Sequence, residues 1–217
     1  AGGIVVPVLY ALLLNEVNNN FIKRTVQTVI YFPHFLSWVI LSGIFIDILS
    51  PSTGIVNDLL KAIGIKPIFW LGDPNWFPCT LAITDIWKEF GFGTIIYLTA
   101  LTNIDPTLYE ASYIDGAGRF KQTLYITLPS IMHIIMLMTI LSLGNILNAG
   151  LEQVFNLYSP QVYSTGDIID TLVYRLGMEN TQYGVATAVG LFKSVVSFLL
   201  IGLSYYLANK YTDYHIF

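Results

Sequence analysis

Charge is what this sequence has least of. Only 11% of its 217 residues are Asp, Glu, Lys or Arg, against 54% hydrophobic. A water-soluble globular chain carries about 25% charged residues. This chain cannot cover a solvent-facing surface of its own, and its mean hydropathy of +0.63 agrees. A polytopic, all-α membrane protein is expected. The net charge of −4 leaves no basic stripe, which argues against nucleic-acid binding. The single cysteine, Cys79, excludes an intramolecular disulfide and any multi-cysteine metal site; it is expected simply to pack. His34, His133 and His215 are dispersed, with no H-E-x-x-H, so no metal site is expected. There is no G-x-x-x-x-G-K-[ST], so the chain does not itself hold ATP in a P-loop, and no cofactor is expected in it. No G-x-S-x-G and no convincing pair of hydrolytic carboxylates occurs, which leaves an enzyme reading with little support. Gly91-Phe-Gly93 and Gly116-Ala-Gly118 lack the strand-then-helix context of a dinucleotide site. An initiator Met and a signal peptide are also missing. The chain opens inside an apolar run, and an N-terminal truncation from six membrane segments to five is expected.

What the sequence does have is long apolar runs. A bilayer core needs about 20 apolar residues per helix. Five stretches fit or nearly fit: 1–14, 27–50, 79–102, 129–150 and 184–208. They are read as one permease-like domain over 1–217, with long loops at 51–78 and 151–183 on one side. Alternation places Lys23, Arg24, Arg119, Lys121 and Lys210 on the other side, against Lys61, Lys66 and Arg175. The positive-inside rule makes the richer side cytoplasmic. In 54–64 and 166–177 apolar residues recur at helical spacing, so each loop is expected to hold a short amphipathic helix lying on the bilayer or capping the bundle. Trp70, Trp76 and Phe77 beside the first are expected to be interfacial anchors.

The richest polar stretch is 104–128, between the third and fourth apolar segments. Asp105-Pro106 predicts a turn and a helix start. Gly116 and Gly118 predict a sharp bend. Residues 119–127 read as a second short helix, and Pro129 opens the next membrane segment, where a missing N–H costs little. The product is a bent, rigid knob outside the membrane.

Within the membrane segments, ionisable groups are costly and default to functional candidates. Lys88 and Lys193 each lie nine residues in from a segment edge, about 13 Å deep at 1.5 Å per residue. Asp85 and Glu89 flank Lys88. These four residues either line a polar pathway or neutralise one another between packed helices; the sequence leaves both open. Asn145, Asn148, Glu152 and Gln153 suit sugar hydroxyls or helix neighbours equally. Trp38, Trp87 and Tyr97 could stack on sugar rings, although membrane aromatics more often face lipid or core.

Glu110-Ala111-Ser112, three residues, Gly116, nine residues, Ile126, one residue, then Leu128-Pro129 resembles the EAA loop of bacterial ABC importer permeases, E-A-A-x3-G-x9-I-x-L-P. Asp115-Gly116-Ala117 matches its common D-G-A, and Ser112 is the one departure. FPHFLSW (32–38), SPSTGIVN (50–57), FWLGDPNWF (69–77), IWKEFGFGTIIYL (86–98) and YGVATAVGLFKSVV (183–196) resemble the polysaccharide and oligosaccharide branch of the carbohydrate permeases. The resemblance implies a type I, MetI-like permease in a bacterial cell membrane. It also implies a second, different permease subunit and two ATPase subunits that hold ATP and Mg. A solute-binding protein outside the cell would deliver an oligosaccharide. Glu110, Ala111, Ser112, Asp115, Gly116, Ala117, Arg119, Leu128 and Pro129 would then belong to the coupling loop that the ATPase grips. The rivals are an ion-coupled secondary transporter working through Asp85, Lys88, Glu89 and Lys193, and a membrane-embedded enzyme.

Overall fold

The computed structural model describes residues 2–17 and 19–211, the last five as backbone alone. Ala1, His215 and most of the polar tail lie outside the described residues. Among those described there are helices and turns and no strand. The chain forms two compact units. The first comprises Ala1–His34, Ile86–Leu143 and Ile201–Phe217; the second comprises Phe35–Asp85 and Gly144–Leu200.

The helices are α1 (Gly2–Asn15), α2 (Asn20–Tyr31), α3 (Trp38–Ile48), α4 (Ile55–Ala62), α5 (Phe77–Thr102), α6 (Pro106–Ile114), α7 (Arg119–Gln122) and α8 (Leu128–Gly144). After these come α9 (Leu151–Leu157), the single turn α10 (Tyr163–Gly166), α11 (Ile169–Tyr174) and α12 (Tyr183–Tyr211). By length and composition two helices can cross a membrane, Arg119–Gly144 and Tyr183–Tyr206, and a third if α2 and α3 count as one broken span. The sequence reading expects five. Helix α1 is apolar but short. Helix α5 is long, but any eighteen consecutive residues of it include Asp85, Lys88 and Glu89.

The stretch read as one span over 27–50 is broken. Pro33 has no N–H to give and crowds the carbonyl one turn back. The helix tightens to a 3-10 turn over Phe32–Phe35 and stops. Ser37 restarts it as the N-cap of α3, its Oγ accepting from the Ile40 N–H at 3.4 Å.

In the first unit, Val8, Ala11 and Leu14 of α1 pack on Tyr97, Leu98 and Leu101 of α5 and on Ile131 of α8. Gly91 and Gly93 let the helices approach. A Cβ at Gly91 would lie 2.0 Å from the Ile30 carbonyl oxygen, and one at Gly93 would lie 3.3 Å from the Pro7 ring. Small residues at membrane helix contacts do this work, which accounts for the glycine pair. In the second unit Phe77, fully buried, forms a core with Leu157 and Val162. Phe77 is therefore no interfacial anchor. Its ring lies where a Cβ on Gly166 would be, at 2.3 Å. Cys79, expected to pack, is exposed.

The two amphipathic stretches differ. Helix α4 leaves Ile55 and Leu59 exposed, with Ile63 at its C-cap, as a helix lying on another apolar surface would. The buried Asn57 side chain ties its base, donating to the Ser50 and Ile68 carbonyls and accepting from the Ile68 N–H at 2.8 Å. The stretch 166–177 is helical, but it starts later than its spacing suggests. From Ile169 it runs on as α11 and a wide helical turn, Arg175–Glu179, and most of its apolar residues are half-buried within the second unit.

Candidate functional site

The polar stretch folds from its own punctuation. Asp105 is the N-cap of α6, its Oδ1 accepting from the Thr107 N–H at 2.9 Å, and that bond holds the exposed carboxyl below its ordinary value. Pro106 occupies the first turn. The helix ends at Gly116, whose φ is +76°, a region closed to most side chains. The Ala117 N–H donates to the Ser112 carbonyl at 2.9 Å and the Gly116 N–H to the Tyr113 carbonyl at 3.0 Å. This is the Schellman arrangement, which satisfies the last carbonyls of a helix. Gly118 then serves as the extended N-cap of α7.

The second half of the knob differs from expectation. Residues 119–127 are not a separate helix. Arg119 to Gly144 is continuous, interrupted only by a wide turn at Thr123–Thr127, where the Leu128 N–H donates to the Thr123 carbonyl. Pro129 explains the widening, because its ring would strike the carbonyl four residues back in a regular helix. The knob is thus joined without a loop to a helix apolar enough to span a membrane.

Its surface is open. Glu110, Ala111, Asp115 and Gly116 are exposed, as is Pro129; Ser112, Ala117 and Leu128 are half-buried. Glu110, Asp115 and Lys121 make no ion pair among the described residues. Arg119 meets Glu16, at the end of α1, at 3.3 Å, in an exposed contact worth little. Beside these charges Tyr113, Ile114 and Phe120 stand about four-fifths exposed. Large apolar side chains among separated charges are the make-up of a protein interface.

The ionisable residues of the apolar segments are arranged otherwise. Lys88 is buried; its Nζ donates to the His34 carbonyl at 3.0 Å and to Glu89 Oε1 at 2.9 Å. Glu89 Oε2 lies 2.7 Å from His34 Nδ1, and the His34 ring stacks on Phe92 at 4.0 Å. Lys88 and Glu89 thus both bind His34, in the turn where the helix breaks. Lys193 Nζ meets both carboxylate oxygens of Asp170 on α11, at 2.6 and 2.7 Å. Gln153 is buried and donates to the Leu81 carbonyl and to Thr84 Oγ1, each at 2.8 Å. Trp38 and Tyr97 are buried. Asp85, Asn145, Asn148, Glu152 and Trp87 are exposed, with Asn148 Nδ2 reaching Asn145 Oδ1 at 3.3 Å. Among the described residues no three His, Cys, Asp or Glu side chains gather as a metal site requires.

The sequence reading missed Asp170, the partner of Lys193, and the Asp167–Arg175 pair. Burial would raise the Asp167 carboxyl, but hydrogen bonds from Arg175 and Thr171 outweigh it and hold it below the ordinary range. Arg175 also lies 4.7 Å over the Tyr163 ring. Spacing offered one usable signal, since Thr171 and Arg175 follow Asp167 at one and two helical turns; nothing in sequence tied Lys193 to Asp170.

Among the described residues the chain is thus helical, with a bent polar knob continuous with a helix long and apolar enough to cross a membrane. Residues 3–213 match the family described as binding-protein-dependent transport system inner membrane component, and the chain belongs to that family. It is 43% identical over 211 residues to protein LplB and 42% identical over 212 residues to the polygalacturonan/rhamnogalacturonan transport system permease protein YteP, both of Bacillus subtilis (strain 168). These matches cover 97% and 98% of this chain, which spans 66% of the length of each relative. Among solved structures, a bacterial alginate ABC transporter in complex with an alginate pentasaccharide-bound periplasmic protein superposes with a TM-score of 0.93 at 40% identity. That match covers 99% of this chain and 74% of the other.

Proposed function

We propose that the chain is the transmembrane permease subunit of an ATP-driven, binding-protein-dependent importer of oligosaccharides or polysaccharide fragments. The observation that carries this reading is the exposed, glycine-bent knob joined to the Arg119–Gly144 helix, in a chain whose relatives are named for saccharide transport. The knob is the coupling element. A separate ATPase grips α6 and the Gly116 bend, and nucleotide-driven closure of two such subunits moves α8 between two access states. Glu110 meets a basic residue of that ATPase, Ala111 allows close approach, and Tyr113 and Phe120 fill its groove. The knob side is cytoplasmic, and 51–78 and 151–183 face the binding protein. A second, different permease subunit completes the pathway. ATP and Mg stay on the ATPase chains, and this chain performs no hydrolysis.

Their exposure leaves Asp85, Asn145, Asn148 and Glu152 as candidates for saccharide contact. Lys88, Glu89 and Lys193 have structural partners, which weighs against ion coupling through them. Pull-down of the tagged chain from its native membrane tests the coupling assignment. Wild type is expected to recover an ATPase and Gly116→Trp to lose it. Equal recovery from both, or none from either, overturns the assignment.

A further inference from the structure

Under the exposed face of the knob lies a small set of neutral polar bonds. Tyr109 Oη is 3.0 Å from Thr127 Oγ1. Ser112 Oγ donates to the Tyr109 carbonyl at 2.8 Å and accepts from Gln122 Nε2 at 2.9 Å. Gln122 Nε2 also points at the Tyr109 carbonyl, at 3.5 Å. Thr127 is buried, and its hydroxyl reaches back to the Gln122 carbonyl at 3.4 Å. The Tyr109–Thr127 and Ser112–Gln122 contacts span 18 and 10 residues. Both therefore close across the Gly116 bend, joining α6 to the helix that becomes α8.

The two glycines of the bend have open space where a side chain would sit. A Cβ at Gly116 or Gly118 would meet nothing within 4 Å. The Schellman bonds end α6, but they do not reach past Ala117, so the angle to the helix that follows Gly118 is set by other contacts. Without them, a push on α6 would be absorbed at the hinge and would not move α8. We propose that Tyr109, Ser112, Gln122 and Thr127 form a brace that fixes the angle between α6 and the Arg119–Gly144 helix, so that the two move as one lever. These are positioning residues; they touch neither nucleotide nor saccharide. Neutral groups suit the task, because their bonds do not compete with the charges offered to a docking partner. Ser112, the one position that departs from the E-A-A pattern, gives Gln122 a hydroxyl where alanine would leave it only the more distant Tyr109 carbonyl. The inference rests on the coupling role proposed for this knob.

The test uses the assembled transporter in lipid vesicles, in a Cys79→Ser background, with spin labels at Thr107→Cys on α6 and Thr139→Cys on α8. The inter-label distance is read without nucleotide and after trapping with ATP and vanadate. The unmodified brace and Thr127→Ser, which keeps the hydroxyl, are expected to hold one narrow distance in both states. In Tyr109→Phe, and more so in Tyr109→Phe combined with Thr127→Val, the share of molecules outside that distance rises about five-fold per lost bond, and trapping changes the separation. Tyr109→Phe alone keeps the test open if the double variant does not assemble. A double variant as narrow as wild type in both states, or Thr127→Ser as broad as Thr127→Val, overturns the brace. ATPase recovery that is insensitive to Gly116→Trp overturns the coupling role instead, and leaves the distance measurement readable.

Discussion

The knob at 104–128 and the charged residues of the apolar helices use the same side-chain types in opposite ways. Glu110, Asp115 and Lys121 stand in the open without ion-pair partners among the described residues. Lys88 and Lys193 each close on a carboxylate of their own unit, at 2.9 and 2.6 Å. An unpaired charge is tolerable in water and costly in an apolar setting. Exposure therefore leaves a charge available to another protein, whereas burial commits it to a neighbour. The difference teaches that an ionisable residue inside an apolar segment is not a pathway residue by virtue of depth alone. Its partner must be known first.

That contrast can be broken most forcefully at Lys193. Lys193→Met leaves Asp170 half-buried without its cation and is expected to destabilise the chain by about 3 kcal/mol. Lys193→Met with Asp170→Leu should recover most of that loss. Thermal unfolding in detergent checks both, and a double variant no more stable than the single would show that the pair does more than neutralise. The matching change in the knob, Glu110→Arg, is expected to leave unfolding unchanged and to lower ATPase recovery about thirty-fold, on the scale of one interface hot spot. Unchanged recovery would remove Glu110 from the proposed contact.

Gly91→Ala sharpens the comparison from the packing side. Its Cβ would sit 2.0 Å from the Ile30 carbonyl oxygen, and the overpacking should cost about 2 kcal/mol in thermal or denaturant unfolding. Gly116→Ala meets no neighbouring atom and should cost only its backbone strain, about 1 kcal/mol.

Smaller effects belong to the pairs nearer water. The folded Asp167 carboxylate titrates below its ordinary value of 3.8. Its contribution is thus complete above that value and is lost as pH falls through the lower folded one. Amide exchange over 163–175 should accelerate in that acidic window, and Asp167→Asn should abolish the pH dependence. Arg119→Gln breaks the exposed contact with Glu16 and should change stability by no more than about 0.5 kcal/mol.

How much of this was legible in sequence follows from how far each signal reaches along the chain. Asp105-Pro106, Gly116 and Gly118 fixed the start, the bend and the restart of the knob, because caps and left-handed turns depend on a few adjacent residues. The continuity of Arg119–Gly144 was misjudged because Pro129 reads as a boundary. Only the folded chain shows the wide turn that accommodates it. The break inside 27–50 is a second feature that composition hides. The stretch is mostly apolar, but Pro33 breaks it, and the His34 carbonyl at the break accepts from Lys88, 54 residues away.

The sequence by itself determined the class. Scarce charge and long apolar runs dictate a membrane chain, and the Glu110–Pro129 spacing marks the one place where it offers a shaped polar surface. Only the tertiary structure decided which polar residues are spent on holding the fold. It paired Lys88 with Glu89 and Lys193 with Asp170, sank Phe77 into a core, and set Tyr109 against Thr127 beneath the knob. The physical reason is that burial, and with it the cost of a charge or hydroxyl without a partner, is a property of what the chain brings together from distant positions. Local composition and spacing do not carry it.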